Sequence, residues 1–162
     1  MGTDGGKAMS INALTIQQLS ILCRHVEELL AAGVSFNLAI RTLEIAVDAA
    51  AKNMILGNTS PHSARQVPQN QWSVAAKNAY AADPTRPARE YLRVEHGTPR
   101  RAFAKLVLES ARAGTFNGET FETLVRKRWK VAVITLEEDG RLQRSALTDT
   151  PDERWASARI AF

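Results

Sequence analysis

The sequence predicts one mainly helical α+β domain, a helical hairpin followed by a small sheet of two or three strands flanked by helices. Three observations lead there. Apolar residues recur at three- and four-residue spacing over two long N-terminal stretches. A single run, Val131-Ala132-Val133-Ile134, has the β-branched character of a buried strand. The length, 162 residues, suits one compact domain.

Residues 1–11 read as a disordered leader loosened by Gly2, Gly5 and Gly6, and 12–162 as the domain. Its first part, 12–56, is the hairpin. Leu19, Leu22, Val26, Leu29 and Leu30 form one stripe from Thr15 to Ala32, with Thr15 and Gln18 spaced as a capping box and Gly33 as the stop. Ser35 then caps a second helix carrying Phe36, Ile40, Leu43, Val47, Ala50 and Met54. Residues 57–70, with Gly57, Asn58, Ser60, Pro61 and Pro68, read as a polar linker.

The second part, 70–162, is the α+β module. A short helix is expected around Trp72 to Tyr80 and a short strand over 91–95. Thr98 caps a helix with Pro99 at its first position; Phe103, Leu106, Val107 and Ser110 share a face, and Gly114 ends it. Another helix covers Glu119 to Trp129. The strand around Val131–Ile134 follows, then capping boxes at Thr135/Glu138 and Thr150/Glu153. Parallel pairing of the two strands would bring both strand-to-helix turns to one end of the sheet.

Composition narrows the setting. Met1–Ser10 has no apolar segment of a secretory signal, and no stretch approaches the ~18 apolar residues of a membrane span, so a cytoplasmic protein without a membrane partner is expected. Cys23 is the lone cysteine, which excludes an internal disulfide and a cysteine-based zinc site and suggests a core position. The net charge of +4 is unevenly spread. Residues 86–130 hold eleven Lys/Arg against five Asp/Glu, whereas 1–60 and 131–162 are slightly acidic. A concentration of this kind attracts polyanions when it is exposed.

Four constellations could carry chemistry. Glu95-His96-Gly97-Thr98-Pro99-Arg100-Arg101 sets a histidine beside a carboxylate where a helix start offers N–H groups to an anion. The structural alternative has Glu95 pairing an arginine and His96 bonding a carbonyl. Thr135-Leu136-Glu137-Glu138-Asp139 offers three acids for a divalent cation, or merely acids that complement a helix start. Leu29 to Ser35 has the form of a helix-turn-helix turn, but its reading helix would offer only Asn37, Arg41 and Lys52 among Glu44 and Asp48, so a packing or homodimerising hairpin is the better expectation. Arg126-Lys127-Arg128-Trp129-Lys130 could grip phosphates and stack a base, or place Trp129 in the core beneath solvated charges.

Glu95-His96-x-x-Pro99-Arg100 with Ile134-Thr135-x-Glu137-Glu138-Asp139 resembles a loose group of small uncharacterised bacterial proteins, over about half the chain. The Glu-His-x-x-Pro piece is also faintly similar to the first segment of His-Asn-His nucleases. It departs from them in lacking a downstream Asn…His pair, since His25 and His62 lie upstream.

Two functions follow as expectations. The first is a non-enzymatic bacterial module without a cofactor, binding nucleic acid or an acidic protein through Arg93, Arg100, Arg101, Lys105, Arg126, Lys127 and Arg128. The second is a small hydrolase or nuclease using Glu95, His96, Glu138 and Asp139 around Mg²⁺ or Mn²⁺.

Overall fold

A computed structural model describes residues 12–57, 64–142 and 150–162. The expected leader and part of the 57–70 linker lie outside the described residues. Helix α1 (Ala13–Ala31) ends at Gly33, whose φ of 85° is the left-handed value a helix stop requires. The Val34 N–H donates to the Leu29 carbonyl and closes that stop. Ser35 heads a short turn, α2 (Phe36–Ala39), without capping it through its side chain, and α3 (Arg41–Leu56) follows. Between them the apolar stripes deliver Leu19, Cys23, Val26, Ile40, Leu43, Val47 and Met54 to the core.

The segment expected to be a polar linker contributes to the core. Two 3₁₀ turns, Ala64–Gln66 and Gln69–Gln71, bury Ala64 and Val67, and the Val67 carbonyl accepts the indole N–H of buried Trp72 at 2.9 Å. Ser73 caps α4 (Val74–Ala82), which begins two residues after Trp72. Strand β1 (Leu92–His96) leads into α5 (Arg100–Arg112). Pro99, not Thr98, occupies the cap position of α5, so that helix starts with no side-chain cap.

Asn117 and Thr120 form a capping box at the head of α6 (Gly118–Leu124) that the sequence reading passed over. The expected helix to Trp129 then widens into a π-turn over Val125–Trp129 before β2 (Val131–Thr135). The boxes at Thr135/Glu138 and Thr150/Glu153 both form, heading α7 (Leu136–Arg141) and α8 (Pro151–Ser157).

The two strands form one antiparallel pair, flanked by helices. Leu92 faces Thr135 and His96 faces Val131. Both faces of β2 are covered, which is why it reads as an unbroken apolar run. Val131 and Val133 join the main core with Trp72, Phe103, Phe121 and Trp129, while Ala132 and Ile134 pack with Leu142, Trp155, Ala158 and Ile160.

That second cluster seats α8 against the turn after β1. A Cβ placed on Gly97 would stand 2.3 Å from the Pro151 Cβ, so this approach requires glycine. Gly97→Ala therefore lowers stability by about 1–3 kcal/mol in chemical denaturation. Gly140→Ala, which meets nothing within 4 Å in a helical turn, moves stability the other way by about 0.5–1 kcal/mol.

Cys23 is buried as its position in the stripe suggested. Burial, with a smaller push from Glu27, raises its thiol pKa to about 11. Only about one thiol in a thousand is then ionised at pH 8. Disulfide exchange with an aromatic disulfide reagent should therefore run about a hundredfold slower in the native protein than in urea; equal rates would contradict a core position.

Candidate functional site

Helix α3 carries Glu44, Asp48 and Lys52 at four-residue spacing, one row of charged side chains along an apolar helix. All three are buried, and Glu44 and Asp48 meet arginines of α5. Asp48 is the hub. Its Oδ2 pairs with Lys52 Nζ at 2.6 Å and with Arg100 Nε at 3.3 Å. Its Oδ1 lies 3.5 Å from His96 Nε2 and accepts the Trp129 indole N–H at 3.3 Å. One carboxylate thus ties α3 to the end of β1, the start of α5 and the π-turn.

One helical turn earlier, Glu44 pairs with Arg101 Nε, and Arg101 Nη1 donates to Asn37 Oδ1 at 3.1 Å. The His96 ring meets Trp129 edge-on with centroids 4.9 Å apart. The Glu95-His96-…-Arg101 motif is therefore built into an interface. His96 keeps a fifth of its side chain exposed, and Arg100 about half.

The backbone of this turn is held from α8. Arg154 is buried, donates from Nη1 to the Gly97 carbonyl and to the His96 carbonyl at 3.4 Å, and approaches Glu95 Oε1 at 3.7 Å through Nη2. Gly97 N–H in turn donates to the Lys130 carbonyl at 2.7 Å. The hydroxyl of buried Thr98 has no hydrogen-bond partner among the described residues.

Antiparallel pairing corrects the expected assembly of Glu95, His96, Glu138 and Asp139. Thr135 sits opposite Leu92, so the acidic turn lies at the far end of the sheet from His96, about 13 Å away for four residues of strand. Glu138 is absorbed locally: its Oε2 accepts the Thr135 N–H at 2.9 Å and the Ser73 hydroxyl at 2.7 Å. Asp139 pairs with Arg93 at 3.2 Å. Among the described residues, no group of three or more His, Cys, Asp or Glu could hold a metal ion.

The seven expected contact cations do not form one free patch. Arg93, Arg100, Arg101 and Arg126 are paired with Asp139, Asp48, Glu44 and Glu122. Lys105 Nζ lies over the Phe36 ring, 5.3 Å from its centroid. Among the described residues Lys127 and Arg128 form no direct ion pair, although the Glu153 carboxylate lies near enough to Arg128 for the two charges to interact, and they lead directly into Trp129 beside His96. Sequence reasoning singled out His96, Arg100 and Trp129. It treated Asp48 and Lys52 as parts of a weak reading helix, although their spacing with Glu44 carried the signal. Arg154 gave no sequence signal at all.

The burial of Asp48 has a measurable consequence. Asp48→Asn leaves Lys52 without its counter-charge in a site that excludes water, and should cost about 3–5 kcal/mol in urea unfolding. Removing both charges in Asp48→Asn/Lys52→Met should cost less than the sum of the two single changes; strict additivity would mean that the pair does not interact.

No family model matches this chain, and comparison with curated proteins and with solved structures likewise finds no match.

Proposed function

We propose that the protein is a nucleic-acid-binding module whose contact point is the junction between the start of α5 and the π-turn. The observation that supports it is the charge imbalance around Asp48. Lys52 and Arg100 outnumber the one carboxylate they share, whatever the state of His96 beside them. Arg100 uses Nε for Asp48 and is half-exposed, which leaves its terminal nitrogens for a phosphate. Lys127 and Arg128 enter from the neighbouring turn, Lys127 exposed and Arg128 half-buried within reach of the Glu153 charge. This contact surface is smaller than the seven-residue face expected from sequence, because Arg93, Arg101 and Arg126 are paired with acids and Lys105 lies over the Phe36 ring.

Of the described helices, none is long and apolar enough to cross a membrane. Exposed Leu38 and Ile45 support self-association through the N-terminal hairpin as a separate property.

Filter binding of single-stranded RNA and duplex DNA at several salt concentrations tests the proposal. Affinity should fall with salt with a log–log slope near −2 to −3, about −0.7 to −0.9 for each phosphate engaged by Arg100, Lys127 and Arg128. Each alanine substitution among the three should reduce the slope by about one contact. Absence of binding at low salt would falsify the reading, and equal binding of polyglutamate would reassign the partner to an acidic protein.

A further inference from the structure

We propose that Arg154 is the positioning residue of this site, so that binding at the start of α5 is coupled to the docking of α8. The inference rests on the reading above for its binding arm, but its geometry stands apart from it. Arg154 is among the few buried charged residues, and its guanidinium spends Nη1 on two consecutive backbone carbonyls, those of His96 and Gly97. These carbonyls flank the point where the chain leaves β1 and turns into α5. The same guanidinium faces Glu95, whose side chain precedes His96.

The planar fork fixes the two carbonyls on Nη1 relative to the Glu95 carboxylate at Nη2, which a point charge cannot do. The turn is also closed on its other sides. Pro151, three residues before Arg154, fills the space where a Gly97 side chain would be, and Gly97 N–H is bonded to Lys130. α8 thus sets the path of residues 95–98, and that path decides where the His96 ring stands against Asp48 and Trp129 and how Arg100 leaves the surface. Asp48 from α3 pairs with the His96 ring and holds Lys52 and Arg100 on its other oxygen, while Arg154 meets the His96 backbone carbonyl and the Glu95 carboxylate.

Arg154→Lys separates positioning from charge, since it keeps the positive charge and removes the fork. Two readouts in the full chain are needed: the titration of His96 followed by NMR, assigned with His96→Gln, and the indole N–H signal of Trp129. In Arg154→Lys both should move, while far-UV circular dichroism and cooperative unfolding are retained. RNA affinity should weaken several-fold and the salt slope should flatten. Arg154→Gln, which is shorter and lacks both the fork and the charge, should move the two signals as well. If Arg154→Lys does not fold, Arg154→Gln is judged by the Trp129 signal instead.

Unchanged His96 and Trp129 signals in a folded variant overturn the inference, even where the wild type binds RNA. Moved signals in a protein whose wild type binds no nucleic acid uphold the positioning role and remove the binding proposal instead.

Discussion

The buried carboxylate of Asp48 is the constraint on which the arrangement of this protein depends. A lone ionised carboxylate cannot be taken out of water without large cost, so its partners must arrive together. Here they come from α3, β1, α5 and the π-turn, through Lys52, His96, Arg100 and Trp129. Packing could bring these elements together in many relative positions, because apolar contact is non-directional. The carboxylate accepts from defined directions and so selects one. The π-turn belongs to this account: widening the helix over Val125–Trp129 leaves Arg126 and Lys127 exposed while Trp129 is fully buried with its N–H on Asp48.

The uneven charge of the sequence has a related explanation. The basic middle segment lies between acidic ends, and its cations reach out to them: Arg112 to Glu27, Arg101 to Glu44, Arg100 to Asp48, Arg93 to Asp139 and Lys130 to Asp152. Much of the local excess is thus internal complementarity, with residues distant in sequence holding opposite signs because they meet in the fold. The exposed pairs contribute little individually. Those ending on the buried carboxylates of Asp48 and Glu44 are shielded from water on the acid side, and there the complementarity specifies how α3 faces α5.

Legibility from sequence followed the range of the interactions. Local signals were readable: the Gly33 stop, the boxes at Thr135 and Thr150, and the apolar stripes that deliver Leu43 and Val47 to the core. Strand content was readable as well, but strand direction was not. Val131–Ile134 is apolar on both faces, and nothing in a two-sided run distinguishes parallel from antiparallel partners. That direction separated Glu138 from His96. The site was half legible, since Glu95-His96 and Arg100 lie in one short motif. Asp48 and Arg154 are separated from it by 48 and 58 residues and join it only through tertiary contact.

Adjacent arginines at the start of α5 divide between a structural role and the proposed binding role. Arg101 spends Nε on Glu44 and Nη1 on Asn37, and its guanidinium is largely committed to α2 and α3. Arg100 spends Nε on Asp48 and keeps its distal edge toward solvent. A lysine in its place would bring a single nitrogen to the carboxylate, and an arriving phosphate would have to compete with Asp48 for that one charge. The guanidinium separates the two tasks along its own plane, with the carboxylate on one edge and free donors on the other. Asp48 therefore does not neutralise the site so much as orient it. It holds Arg100 at a fixed angle, which reduces the side-chain entropy a ligand must overcome on binding. The same anchoring that makes α3 and α5 one structural unit is what would make Arg100 an effective contact.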